Sequence, residues 1–356
     1  MQIVIPMSGV GQRFIDAGYN VPKPLIVVNG KPIIHHVIDL FPNETNFIFV
    51  CNKDHLSDDK HKMKQIILEY CPSGLLVEIE PHKLGPVHAV EQVKELLDPN
   101  MPVVVNYCDF SCYWDWAEFL TFVETHNLDG CIPSYRGFHP HSFGSTNYAY
   151  LKMHGAHLKD IQEKQPFTDF KSEEYASSGC YYFKSTASMF AAFEQMRAQD
   201  LSVNGEYYVS MAYKILVSQG AKVGVYELEH FMQWGTPQDL EEYKSWSDTF
   251  EALVCYAGSA KVDGGLVMPM AGSGQRFLDK GYSTSKPLIE VAGAPMFKQA
   301  LKLLPKFDST ILVVQDELLT DISTVFGCDD NAESIKTVSL PEKTSGQAVT
   351  ARLGLR

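Results

Sequence analysis

The chain opens on an apolar run, QIVIPM (2–7), which breaks into SGVGQ. A short apolar run closed by glycines predicts a buried strand that enters a tight loop. Two more runs of this kind follow, NFIFVCN (46–52) and PVVVNYCDF (102–110), and LLVEIE (75–80) predicts a further strand. Between them the apolar positions change to helical spacing. KPIIHHVIDLF (31–41), DDKHKMKQIILEY (58–70) and VHAVEQVKELL (87–97) each predict a helix with one apolar face. Strands alternating with helices imply an α/β chain: a Rossmann-like, mainly parallel sheet with helices on both faces. Ligands of such sheets bind beyond the carboxyl ends of the strands. The glycine loop and Asp109 both fall at such ends, so both are expected on one crevice. After about residue 130 the pattern shifts to GCIPSY, NYAYLKM, ASSGCYYF and KVGVYEL. These predict strands with longer connections that build the other half of a pocket.

The pattern also returns. IVIPMSGVGQRFIDAGYNVPKPLIVVNGKPIIHHVIDLFP (3–42) reappears as LVMPMAGSGQRFLDKGYSTSKPLIEVAGAPMFKQALKLLP (266–305). The offset stays at 263, from Pro6 to Pro269 and from Lys23 to Lys286. FIFVCNKDHL (47–56) continues the match against TILVVQDELL (310–319), and PHKLGPVHAV (81–90) against PEKTSGQAV (341–349). So long a period is not that of a solenoid. It predicts duplication of a whole domain: a complete copy over 1–254, a small polar linker over 255–264, and over 265–356 the opening part of a second copy.

With 356 residues the chain is long for one ordinary domain, which agrees with a large unit and a smaller one. Its 30 basic and 43 acidic residues leave a formal charge of −13. Such a chain does not hold nucleic acid by general attraction to phosphate. Any anionic ligand needs a local basic pocket. None of the eight cysteines forms a CxxC pair, and Cys108 and Cys112 have no second pair to complete a zinc site. No secretion signal or long apolar run is present, so reduced thiols, a cytoplasmic location and no membrane partner are expected.

The chemistry begins in the first loop. Ser8, Gly9 and Gly11 let backbone N–H groups approach phosphate oxygens closely, and Arg13 and Lys23 add two positive charges to the same region. Together they suit a triphosphate and its leaving pyrophosphate. A dinucleotide fingerprint would need a glycine where Phe14 stands, and the Walker lysine motif is absent. A lone GxG can be only a tight turn, but GxGxRF followed by KPL occurs twice.

On these motifs the chain resembles the sugar-phosphate nucleotidylyltransferases, or nucleoside-diphosphate-sugar pyrophosphorylases, over about 1–247 and in part again over 264–356. The resemblance implies the glycosyltransferase A-like fold of nucleotide-diphospho-sugar transferases. It implies that Arg13 and Lys23 contact the triphosphate and that Gly85, in LGPVHAV, faces the nucleobase; the alternative for Gly85-Pro86 is the start of a helix. Asp109, in NYCDF, is implied as the ligand of Mg2+, the alternative being a helix N-cap before WDWAEFL. Glu163 and Lys164 match a Glu-Lys motif for the sugar and its phosphate; otherwise they form a solvated surface pair. Gly179, in ASSGCYYF, and Glu206 are implied on the sugar side. The family has Asp-x-Gly-Thr-Pro where this chain has Gln233-Trp234-Gly235-Thr236-Pro237, so the usual second metal ligand is replaced by an amide. Either a second metal site is missing or another carboxylate supplies it. GTPQDLEEY also starts a helix, with proline in its first turn. His139 and His141 lie in a run, RGFHPH, that is either a polar loop or part of the specificity surface.

The implied reaction is attack of an acceptor phosphate on the α-phosphorus of a nucleoside triphosphate, with release of pyrophosphate. The acceptor is a sugar phosphate or another small phosphorylated molecule such as a phosphocholine, and the product an activated sugar for surface polysaccharide, capsule included. Homo-oligomers are compatible with this reading. Two alternatives remain. A glycosyltransferase of the same fold would carry Asp-x-Asp, whereas Asp109 is followed by Phe110 and Ser111. A nucleotide-sensing domain without catalysis is most open for the second copy, which lacks a counterpart of Asp109.

Overall fold

The computed structural model describes residues 1–137, 139, 146–256, 261–326 and 335–355. It divides into two units, Met1–Lys244 and Ser245–Arg356.

The N-terminal unit is built on one ten-stranded sheet. Its strands are β1 (Gln2–Met7), β2 (Phe47–Asn52), β3 (Leu75–Ile79), β4 (Val103–Asn106), β6 (Gly130–Tyr135), β7 (Ala149–His154), β8 (His157–Glu163), β9 (Tyr175–Ser177), β10 (Cys180–Phe183) and β11 (Val223–Glu227). A separate two-stranded sheet joins β5 (Phe110–Tyr113) to β12 (His230–Gln233). The large sheet runs β9-β7-β8-β11-β6-β10-β4-β1-β2-β3.

The apolar runs become central strands because both faces are covered. Along β1, Ile3, Ile5 and Met7 face a core shared with Phe47, Phe49 and Cys51, while Val4 faces the other side with Ile48, Val50, Val103 and Val105. This is the period-two alternation of a strand. The helices Ile33–Ile38, Met63–Tyr70 and Trp116–Thr125 bury Ile34, Val37, Ile67 and Phe119 on the first face. The helices Pro86–Glu91, Thr186–Ala198 and Ala212–Ser218 bury Val87, Phe193 and Ile215 on the second. Each such side chain removed from water contributes about 1.5–3 kcal/mol.

The parallel character lies where the alternation of strand and helix predicts it: β1 pairs in parallel with β2 and β4, and β2 with β3. Beyond β4 the sheet is mixed. β10 is antiparallel to β4 and β6, β7 to β8, and only β11 with β6 is again parallel. Short connections, such as the turn between His154 and His157, can join only antiparallel neighbours.

Several elements differ from the sequence expectation in detail. ASSGCYYF is two strands, broken at Ser178-Gly179, where Gly179 has φ 98°. VHAVEQVKELL is a short helix over Pro86–Glu91 and a single 3-10 turn over Lys94–Leu96. The run PVVVNYCDF leaves the sheet at Asn106, so Asp109 stands just past the strand end. A strand, β5, follows it, and the cap of helix Trp116–Thr125 is Asp115, which accepts from the Glu118 N–H. Capping is therefore not the work of Asp109.

The C-terminal unit has a three-stranded parallel sheet of β13 (Lys261–Pro269), β14 (Lys306–Gln315) and β15 (Ile335–Leu340). Its register repeats that of the first unit at the sequence offset: Leu266 pairs with Thr310 as Ile3 pairs with Phe47. Of the expected linker, 255–256 end the helix Pro237–Tyr256, 261–264 belong to β13, and 257–260 lie outside the described residues.

Gly85 starts the helix Pro86–Glu91 at φ 87° and ψ 172°, a backbone conformation open almost only to glycine. A Cβ there would stand 2.6 Å from both the backbone N and O of Tyr207. Gly85→Ala is expected to lower the unfolding free energy by about 1–3 kcal/mol or more, read by chemical denaturation. An unchanged midpoint would show that this approach is not constrained.

Candidate functional site

β1 and β4 are neighbours whose chain continuations leave on opposite sides: β1 leads to β2 on one, and β4 leads, by way of β5, to β6 two places along on the other. A crevice opens at such a place beyond the carboxyl ends. β1 delivers the glycine loop into it, and β4 delivers Tyr107, Cys108 and Asp109.

Two cavities share this crevice. One, of 260 Å³, is walled by Ser8, Gly9, Gly11, Lys23, Gly85 and Glu206, among others. The other, of 130 Å³, is walled by Arg13, Glu163, Gly179, Tyr148, Gln233 and Asp239, among others. Tyr107 and Asp109 line both. Of the catalytic, nucleotide-binding, sugar-side and metal residues expected from sequence, Lys164 is on neither wall. It reaches the first cavity through Tyr208, whose hydroxyl accepts from its ammonium and donates to Glu206. Arg13 lines the smaller cavity rather than the one around the glycine loop. The two cations therefore flank the crevice instead of sharing one pocket.

Gly11 turns the loop at φ 73° and starts the short helix Gln12–Asp16. Lys23, at the start of the KPL turn, crosses the loop with its ammonium 5.4 Å from the centre of the Phe14 ring. It donates to Asp109 Oδ2 at 2.7 Å and to the Gly235 carbonyl at 3.2 Å. Asp109 Oδ1 accepts no hydrogen bond among the described residues. Arg13 is exposed and has no hydrogen-bond or ion-pair partner among the described residues. The protein thus presents one guanidinium that needs a partner and one ammonium already holding a carboxylate.

Glu163 ends β8 half-buried and accepts from Ser210 Oγ at 2.6 Å. Burial pushes its carboxyl up to about 7; the Ser210 bond and Lys164 offset only part of this. Lys164 takes a left-handed backbone, φ 60°. Neither residue belongs to a solvated surface pair. Gly179 must be glycine: its φ is 98°, and a Cβ would meet the Tyr107 ring at 3.1 Å. His139 packs against Tyr135 and Phe231 and bonds the Phe231 carbonyl, while His141 lies outside the described residues.

The replaced motif has a specific arrangement. Gln233 accepts from the Tyr148 hydroxyl and donates to Asp239 Oδ1 at 2.7 Å. Asp239 Oδ2 accepts from the Thr236 N–H and hydroxyl, and the Asp239 N–H returns to Thr236 Oγ1. This is a reciprocal helix-start box. The Oδ2 atoms of Asp109 and Asp239 lie 3.5 and 4.0 Å from where a Gly235 side chain would begin. Sequence reading missed Asp239; its only signal was the Thr-x-x-Asp spacing after glycine. It missed the ring wall of Tyr107, Tyr148, Tyr181 and Phe231 as well, because aromatic residues in strands look alike whether they face core or crevice.

Among the described residues no cluster of three or more His, Cys, Asp or Glu side chains could hold a metal. A closed, all-protein site is thus not offered there. Two cavity carboxylates, Asp109 and Asp239, are the donor set that suits Mg2+, which binds one or two carboxylates and completes its shell with phosphate and water. No helix among the described residues is long and apolar enough to cross a membrane.

The family model for nucleotidyl transferases matches residues 3–249. The chain belongs to the nucleotidyl transferase family. The match includes every crevice residue named above. Among curated relatives, the nucleotidyl transferase domain is similar to the mannose-1-phosphate guanylyltransferase catalytic subunit beta of Xenopus tropicalis, 24% identical over 242 residues, which are 67% of this chain and 62% of that protein. It is also similar to the bifunctional protein GlmU of Alkaliphilus metalliredigens, 24% identical over 236 residues, 65% of this chain and 48% of that protein. The chain therefore spans about half to three fifths of the length of these relatives. Among solved structures, the nucleoside-diphosphate-sugar pyrophosphorylase of Vibrio cholerae superposes with a TM-score of 0.55 at 19% identity, over 68% of this chain and all of that one. At that identity the likeness shows the fold, that of the nucleotide-diphospho-sugar transferases.

A buried carboxyl held near 7 makes stability depend on pH. Below the ordinary value of 4.5 Glu163 is neutral whether the chain is folded or not. As pH rises from there to about 7, the unfolded chain ionises first and the folded state loses stability; above 7 the loss is complete. Glu163→Gln keeps an acceptor for Ser210 and removes the titration. Its melting temperature is expected to exceed that of the unaltered protein at about pH 8, with the gap closing towards about pH 4. A gap independent of pH would mean that Glu163 ionises at its ordinary value.

Proposed function

We propose that the N-terminal unit joins a nucleoside triphosphate to a small phosphorylated acceptor, a sugar phosphate, and releases pyrophosphate. The observation that carries this is the shared wall: Asp109 lines both the cavity of the glycine loop and the cavity of Glu163 and Gly179. A triphosphate along the loop and an acceptor beside Glu163 would meet there.

The acceptor phosphate is already a nucleophile, so the residues need only place it and balance charge. Loop N–H groups and Lys23 take the triphosphate from one side. Arg13 takes phosphate oxygens from the other, and its lack of a hydrogen-bond or ion-pair partner among the described residues suits it to do so. Lys23 exchanges Asp109 for phosphate when the nucleotide enters, which releases the carboxylate. Mg2+ bound at that point, on Asp109 with Asp239 as the second carboxylate in place of the missing motif aspartate, would supply neutralisation of the phosphate charge. Glu163 faces acceptor hydroxyls, and Lys164, braced on Tyr208, adds positive charge near the acceptor phosphate. Gly85 opens the nucleotide cavity towards the base. The product, an activated sugar, is donor chemistry for polysaccharide assembly. The C-terminal unit repeats the opening part of this domain.

Arg13→Ala and Asp109→Asn are each expected to lower the rate of pyrophosphate release about 10²–10³-fold with little change in melting temperature. Release is assayed with each nucleoside triphosphate and hexose 1-phosphates in Mg2+. Unchanged rates in both variants, or release of nucleoside diphosphate from a nucleotide-sugar by the unaltered chain, would overturn the assignment.

A further inference from the structure

The wall of the glycine-loop cavity includes a histidine, His82, that the sequence did not single out. Its ring lies between two partners. Nδ1 accepts the backbone N–H of Leu84 at 3.2 Å, and Nε2 lies 3.1 Å from Ser8 Oγ. Leu84 is held in turn, because its carbonyl accepts the Tyr207 N–H at 3.0 Å. Ser8 is buried, and its backbone carbonyl accepts from Asn52 Nδ2 at 3.2 Å. Both ends of the contact are therefore fixed by the fold.

These bonds decide where the protons are. A ring nitrogen that accepts an N–H carries no proton of its own, so His82 is neutral and its proton is on Nε2. Burial opposes the charged ring, and His88, whose ring centre is 4.5 Å away, opposes it too; Glu206 offsets only part of this. Nε2–H then donates to Ser8 Oγ. The Ser8 hydroxyl proton must point elsewhere, and Ser8 Oγ has no other hydrogen-bond partner among the described residues. Backbone N–H, imidazole and hydroxyl are aligned in one direction, each strengthening the next as a donor. The last donor of this row stands on a cavity wall and needs an acceptor from a ligand.

We propose that His82 is a positioning residue, which aims the Ser8 hydroxyl proton at a carbonyl oxygen or ring nitrogen on the nucleoside part of the bound nucleotide. The hydroxyl is tied through His82 and Leu84 to Gly85, on the side of the base, whereas Lys23 is tied to Asp109 and Gly235. A neutral donor suits a base atom, as the loop ammonium suits phosphate. Because the proton is fixed, an amino group brought to the same place would meet a second donor and be rejected. The proposal rests on the proposed function for the class of ligand, but not for the orientation of the hydroxyl.

Two measurements on the full chain test it. The first needs no nucleotide: long-range 1H–15N correlation spectra of the 15N-histidine protein at about pH 7.5, with His82 assigned by its loss in His82→Asn. The Nε2–H tautomer is expected; an Nδ1–H or doubly protonated ring overturns the proposal. The second is calorimetric titration with each ribonucleoside triphosphate and with inorganic tripolyphosphate. Ser8→Ala is expected to weaken the preferred nucleoside triphosphate about three- to tenfold, to narrow the preference among bases and to leave tripolyphosphate unchanged. His82→Asn still accepts from Leu84 but is too short to reach Ser8. It is expected to weaken binding by a similar factor, and by much less when Ser8 is already alanine. His82→Gln, whose amide nitrogen reaches the Nε2 position, restores most of the binding. Additive losses in His82→Asn and Ser8→Ala, or equal losses in His82→Asn and His82→Gln, mean that the ring only packs, and overturn the proposal. An equal loss for tripolyphosphate overturns the nucleoside part. Failure of the unaltered chain to bind any nucleoside triphosphate, with the Nε2–H tautomer in place, would overturn the proposed function and the hydroxyl's ligand but not its orientation.

Discussion

The ion pair between Lys23 and Asp109 is the constraint around which the N-terminal crevice is arranged. A carboxylate past the end of a buried strand is costly without a cation, and an ammonium over a glycine loop is costly without an anion. Each answers the other at 2.7 Å, with the Gly235 carbonyl as the third member. The pair ties three distant stretches of chain: the KPL turn, the β4 exit and the turn after β12. Because both groups are only partly exposed, neither is screened as a surface pair would be, and a polyphosphate with its cation can replace the pair without leaving a buried charge unmatched.

The sheet puts these stretches together through its two halves. The parallel half, β3-β2-β1-β4, brings the glycine loop and Asp109 to one edge as neighbours. The mixed half supplies the opposite wall from strand ends that short turns return to the same side: Glu163 at the end of β8 and Gly179 between β9 and β10. The small β5–β12 sheet then fixes where Asp109 points. The Trp234 N–H bonds the Asp109 carbonyl and holds that stretch of backbone beside Gly235, while Lys23 holds the carboxylate.

The parallel half was legible because strands buried on both faces must be continuously apolar, and QIVIPM, NFIFVCN and PVVVN can be little else. The loop with Arg13 and Lys23, and the carboxylate after the third run, were legible for a related reason: charges and glycines at strand ends interrupt that pattern. The second half was less so. Short strands with half-exposed faces do not declare their partners, and hydrogen-bond register between β6, β10 and β11 depends on residues far apart in sequence. Asp239 was hidden by its first role. A Thr-x-x-Asp spacing announces the start of a helix, and nothing local shows that the same carboxylate turns towards Asp109. Gln233 is the complement of this: its amide bridges Tyr148 to Asp239, a role an aspartate could fill only by being protonated, since it would face a second carboxylate.

Set beside one another, the two loops separate what is local in sequence from what is not. Gly274 and Lys286 repeat the backbone angles and ring contact of Gly11 and Lys23, so loop shape is a local property of the GxGxRF and KPL motifs and needs no contribution from strands further along. Asp109 is another matter. It reaches Lys23 only because β4 lies beside β1 and because the β12 turn closes on it, and both contacts span long stretches of sequence. The shape of the loop is therefore specified by the motif itself, and placement of the acid by the topology of a whole sheet.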